Sequence, residues 1–74
     1  MTERRHYETR IIRESGNYIA KLSEYAGECR EIVFCDGEQV HLAEFPASNL
    51  GQAKRGEYLE VMGNSIADRR ERGQ

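Results

Sequence analysis

From Ile32 to Leu42 the chain reads Ile-Val-Phe-Cys-Asp-Gly-Glu-Gln-Val-His-Leu, two runs rich in β-formers that meet at Asp36-Gly37. Asp and Gly both tolerate positive φ, and the pair is a preferred two-residue hairpin connection, so a tight reversal between two strands is expected here. Loop length then decides which side chains share a face. A two-residue loop pairs Cys35 with Glu38 and splits Ile32 and Phe34 from Val40 and Leu42. A three-residue loop with Gly37 as a bulge pairs Phe34 with Glu38 and Ile32 with Val40, gathering all four apolar residues on one face. Burying a large apolar side chain contributes about 1.5–3 kcal/mol. The bulged register is therefore the expected one, with Glu31, Val33, Cys35, Gln39 and His41 on the second face.

The flanking segments extend this pattern. Arg5 to Ile12 is a strand candidate and is followed by Glu14-Ser15-Gly16-Asn17, a second turn sequence. Tyr18 to Tyr25 alternates, with Tyr18, Ala20 and Leu22 on one side. Pro46 lacks an amide proton and ends the fourth strand. Ser48 to Arg55 is expected to form a short helical turn stopped by Gly56, and Glu57 to Met62 a fifth strand closed by Gly63-Asn64. Residues 1–64 then form one β-rich domain, and residues 65–74 a polar C-terminal tail with at most a frayed helical turn.

The layout resembles small antiparallel barrels or strongly bent sheets of the SH3-like or OB-like kind, with five strands and one helical turn. An α+β arrangement, with a sheet of three or four strands covered by a short helix, is the alternative. With 74 residues the chain has room for one small core, in which roughly 60% of the extended surface is buried. It holds no run of 18 apolar residues and no leader pattern, which predicts a cytoplasmic protein that does not enter a membrane.

Cys29 and Cys35, if on one strand, have Cα atoms about 20 Å apart, too far for a disulfide. They are expected to be reduced thiols. With His41 they match no common zinc spacing and lack a fourth ligand, so neither metal nor cofactor is expected. The seven glycines are dispersed at turn positions and make no phosphate-cradling motif. No nucleophile, base and orienting residue are recognisably grouped, and the reading is of a non-enzymatic protein.

Charge is the remaining signal. The net charge is −2, yet residues 14–44 carry Glu14, Glu24, Glu28, Glu31, Asp36, Glu38 and Glu44 against Lys21 and Arg30 alone. Such a segment serves either as the solvated rim of a hairpin or as a negative surface that steers a basic partner. The expected site is Glu24, Tyr25, Glu28, Glu31, Asp36, Glu38 and Glu44, with Tyr25 as the aromatic anchor. The expected function is that of a small regulator or inhibitor docking on a basic protein surface, such as a nucleic-acid groove. The competing reading is direct nucleic-acid binding through Arg4, Arg5, Arg10 and Arg13 with aromatic stacking, against which the acidic balance weighs. Either a monomer or a homodimer joined at an exposed strand edge fits the sequence.

Overall fold

A computed structural model describes residues 3–73. Four strands, β1 (Arg5–Arg13), β2 (Gly16–Tyr25), β3 (Glu28–Cys35) and β4 (Glu38–Pro46), form one antiparallel sheet in the order β1-β2-β3-β4. A 3-10 turn at Ala47–Asn49 leads to helix α1 (Arg55–Arg72). The protein is thus mainly β with a C-terminal helix. The sheet stays open, and β1 and β4 are its two edges rather than neighbours in a barrel.

Two of the three reversals are left-handed two-residue turns, Ala26-Gly27 with φ of 52° and 78°, and Asp36-Gly37 with φ of 50° and 87°. These are the values of a type I′ turn, whose twist matches that of the strands it joins. The β3–β4 register therefore departs from the three-residue loop expected. Cys35 pairs with Glu38, and Ile32 pairs with Leu42. The irregularity lies further along, between Val33 and Phe34, where Phe34 pairs with Gln39 and Val33 with His41, leaving Val40 as the extra residue on β4. The hairpin tip is tied to β2, since Asp36 N–H donates to the Asn17 carbonyl at 2.9 Å and Asn17 N–H to Asp36 Oδ1 at 3.0 Å.

Helix α1 covers one face of the sheet. Leu59, Gly63, Ile66 and Ala67, spaced at four, three and one residues, present a single helical stripe and are buried against Ile11, Tyr18, Ala20, Leu22, Cys29 and Val33. The expected fifth strand over Glu57–Met62 is the first part of this helix. Residues 65–72 of the expected tail form its last two turns, in which Ile66 and Ala67 are core residues, and Gln74 lies outside the described residues. Gly63-Asn64 does not stop the chain: Gly63 sits where α1 crosses Ile11 and Ala20 so closely that a Cβ would run into Ile11 Cδ1. Gly56 likewise lies inside the helix rather than after one.

The far end of β1 is clamped to α1 through Arg13, whose guanidinium donates to Asp68 Oδ1 at 2.9 Å, Glu71 Oε1 at 3.0 Å and Asn64 Oδ1 at 2.6 Å. Arg69, Arg70 and Arg72 fall in the last turn of α1 and Glu57 in the first, each favourable to the helix dipole. Cys29 and Cys35 are free thiols, and burial pushes the Cys29 thiol up from its ordinary value. No helix of the described residues is long and apolar enough to cross a membrane.

Candidate functional site

Cross-strand register assigns every sheet residue to one of two faces. Toward α1 lie Tyr18, Ala20 and Leu22 of β2 with their partners Ile11 on β1 and Glu31 and Val33 on β3. The opposite face carries the alternate residues, and no element of the described residues covers it. This reverses the expected burial: Ile32, Phe34 and Leu42 belong to the uncovered face, whereas Val33 and Glu31 are in the core. Pairing with β2 produces the inversion, because Ala20 and Leu22 lie under the helix and bring Val33 and Glu31 with them, while the extra residue Val40 returns Leu42 to the side of Ile32.

The open face divides along the strands into an apolar end and a polar end. Row by row, Arg10 stands beside Ile19, Phe34 and Gln39, and Glu8 beside Lys21, Ile32 and Leu42, with Ile12 beyond them. Ile12 and Leu42 are 77% and 54% exposed. Lys21 lies over the Phe34 ring, its Nζ 5.6 Å from the centroid. At the polar end, His6, Ser23, Arg30 and Glu44 form one row and Tyr25, Glu28 and Pro46 the next, bordered by Arg4. All of these but Pro46 line a shallow cleft of about 420 Å³. Arg4 stacks over Tyr25 at 4.7 Å from the ring centroid, and Arg30 Nε and Nη2 reach Glu44 Oε2 at 2.8 and 2.7 Å.

The structure does not gather the acidic site residues on one ridge. Tyr25, Glu28 and Glu44 share the polar end of the open face, and Tyr25 is exposed as expected. Glu44 is matched by Arg30 on the same face. Glu24 points to the helix side and accepts from Arg55 Nε at 3.1 Å and Nη2 at 3.3 Å. Asp36 is absorbed by the turn, and Glu38 is exposed beside it. Glu31 is buried, accepting a hydrogen bond from the Tyr58 hydroxyl and lying 2.7 Å from His41 Nε2. Burial and the bond to this carboxylate hold the Tyr58 hydroxyl protonated well above the usual phenol range. This cluster is invisible in the linear pattern because Tyr58 reaches it only from the helix. The open face does leave a signal in the sequence, the alternation of Ile19 and Ile32 with Ala20 and Val33.

Arg55 holds the Glu24 carboxyl below its usual range through their hydrogen bonds, outweighing partial burial. A carboxyl lowered on folding stabilises fully above its unfolded value of about 4.3, and that contribution disappears as pH falls through the folded value. Arg55→Met is therefore expected to flatten the acid limb of the melting temperature against pH below about 4.5. Parallel profiles for variant and wild type would show that the pair carries no such dependence.

Among the described residues no group of three or more His, Cys, Asp and Glu side chains is placed to hold a metal ion. Comparison of the chain with family models, curated proteins and solved structures finds no match.

Proposed function

We propose that this protein is a non-enzymatic interaction module that docks an extended, basic and apolar segment of another protein across the open face of its sheet. The observation that carries this reading is the group Ile12, Ile19, Ile32, Phe34 and Leu42, large apolar side chains contiguous on a face without a covering layer. Exposed apolar area of this kind on a small domain marks an interaction surface. Anchoring belongs to these residues, and orientation to the charges around them. Glu28, a site carboxylate without a cation partner among the described residues, stands at the polar end of the open face, whereas Glu38 pairs with Cys35 and so belongs to the helix side. A partner with a cation at one end of an apolar stretch satisfies Glu28.

The acidic hairpin of the sequence reading thus contributes a rim, and the docking surface moves to the sheet. Regulation or inhibition by occupying a basic groove of the partner remains the role that suits a binding module of this size. Catalysis finds less support: Glu31, His41 and Tyr58 are spent on holding helix to sheet, and Arg30 and Glu44 of the polar cleft are paired with one another.

Ile32→Lys with Leu42→Lys tests this directly. Both positions lie on the uncovered face, so the double variant keeps its circular dichroism spectrum while partner capture in a pull-down from the native host falls by about thirtyfold, the effect of losing a hot spot. Glu28→Lys is expected to slow capture and reduce its salt dependence. Undiminished capture by the Ile32/Leu42 variant, or tight binding of DNA or RNA at moderate salt, would remove the open face from this role.

A further inference from the structure

We propose that two copies of this chain pair through β1, edge to edge and antiparallel about Thr9, to make a continuous eight-stranded sheet. The inference is independent of what docks on the open face and rests on the direction of backbone groups. In a type I′ hairpin the residues flanking the turn exchange both of their backbone hydrogen bonds. Tyr25 and Glu28 are such a pair, so Asn17, Ile19, Lys21, Ser23 and Tyr25 direct their amides and carbonyls toward β3. The bond from Asp36 N–H to the Asn17 carbonyl agrees. Strand β2 therefore serves β1 with the alternate residues, whose partners are Arg5, Tyr7, Thr9, Ile11 and Arg13. What remains on β1, the N–H and C=O groups of His6, Glu8, Arg10 and Ile12, points away from the sheet and meets no other strand of the described residues.

Edges of this kind are usually blunted by a bulge, a proline or repelling charges. Strand β4 has the first two, in the extra residue Val40 and in Pro46. Strand β1 has neither over its 9 residues, and its two central charges, Glu8 and Arg10, are opposite in sign. Two-fold antiparallel pairing requires residues of like face to meet, which leaves only registers centred on a residue of β1. Centring on Glu8 or Arg10 sets like charges against each other. Centring on Thr9 sets Glu8 opposite Arg10 of the second copy twice, Thr9 opposite Thr9, and Tyr7 opposite Ile11. It also engages the whole strand, with about eight new backbone hydrogen bonds.

The ends of β1 fit as well. Arg5 of the second copy arrives beside Arg13, where one guanidinium already faces two carboxylates, Asp68 and Glu71. The second guanidinium balances the pair of acids.

Sedimentation equilibrium of the full chain over a concentration series is expected to show twice the 8.5 kDa chain mass. Under the same conditions the amides of His6, Glu8, Arg10 and Ile12 are protected from hydrogen exchange and lose protection on dilution. Glu8→Arg sets arginine against arginine twice and weakens association by about tenfold or more, as does Arg10→Glu; combining them restores it. Both positions are solvent-exposed, so folding is retained. A monomer at every concentration up to about millimolar, a dimer whose four amides exchange freely, or a double variant that fails to recover would each overturn the proposal.

Discussion

Gly63→Leu is expected to lower the stability of this domain by about 3 kcal/mol, the upper end of the usual cost of overpacking a core. Gly63 is buried in the middle of α1, where a Cβ would run into Ile11 Cδ1 and lie 3.4 Å from Ala20 Cβ. Two effects compete. Glycine weakens a helix interior by about 1 kcal/mol relative to alanine, so Gly63→Ala gains that amount from the backbone and loses more at the contact, for a net loss of about 1 kcal/mol. Leucine adds bulk that only a displaced helix accommodates. At about 0.05–0.15 kcal/mol per residue a domain of this length has roughly 4–11 kcal/mol in all. Losing about 3 kcal/mol lowers the melting temperature by about 12–24 °C. A urea series with Ile11→Val identifies the contact. That change removes Cδ1 and alone costs about 0.5–1.5 kcal/mol, yet in the Gly63→Ala background it is expected to recover stability. Simple additivity of the two changes would mean that Ile11 is not what alanine strikes.

Gly63 also shows why part of this fold was legible in the sequence and part was not. Two hairpins were legible because their turns are local chemistry: Asp36-Gly37 reverses the chain where positive φ is tolerated, the chain turns again within Glu14-Ser15-Gly16-Asn17, and Pro46 ends β4. The helix was hidden by two local signals. Leu59 and Val61 alternate as in a strand, and Gly63-Asn64 resembles a turn. The competing signal, the spacing of Leu59, Gly63, Ile66 and Ala67, becomes helical only when glycine counts as a core residue, and that depends on its close approach to Ile11 across the sheet. Local propensity is a weak prior that such tertiary contact overrides.

The site was misread for a related reason. Gathering Ile32, Phe34, Val40 and Leu42 in the core is the better choice for a barrel, which has one interior. An open sheet with a helix has one covered and one uncovered face, and β2 shows which is which: Tyr18, Ala20 and Leu22 are buried, so their partners Cys35, Val33 and Glu31 face the helix. A carboxylate among core residues was the sequence's own sign that the face had a polar partner in store. Of the acidic residues, those remaining at the surface are set by turn and edge chemistry, and two of the seven site residues are neutralised by Arg30 and Arg55. Charge counts along a chain cannot reveal such pairing because each arginine comes from a different element than its carboxylate.

Glu31→Ala is expected to cost about 2–3 kcal/mol, because the buried carboxylate is the shared acceptor for two groups on different elements. Tyr58 donates to one oxygen from α1, and His41 Nε2 lies 2.7 Å from the other across β3–β4. Removing the carboxylate leaves the Tyr58 hydroxyl without its acceptor and opens a cavity beneath the helix. Removing the hydroxyl instead, in Tyr58→Phe, costs about 1 kcal/mol, since His41 still meets Glu31. Replacing both partners by apolar groups, Glu31→Leu with Tyr58→Phe, is expected to recover at least about 1 kcal/mol relative to Glu31→Leu alone, because no polar group of that pair is then left unmatched. The same bond has an alkaline signature. With the Tyr58 hydroxyl raised above its ordinary value, its contribution is complete below the unfolded value of about 10 and is lost as pH rises through the folded one. Stability of the wild type therefore declines more steeply above pH ~10 than that of Tyr58→Phe. Equal slopes, together with additive losses in the Glu31 and Tyr58 variants, would mean that helix and sheet are held by apolar packing alone at this point.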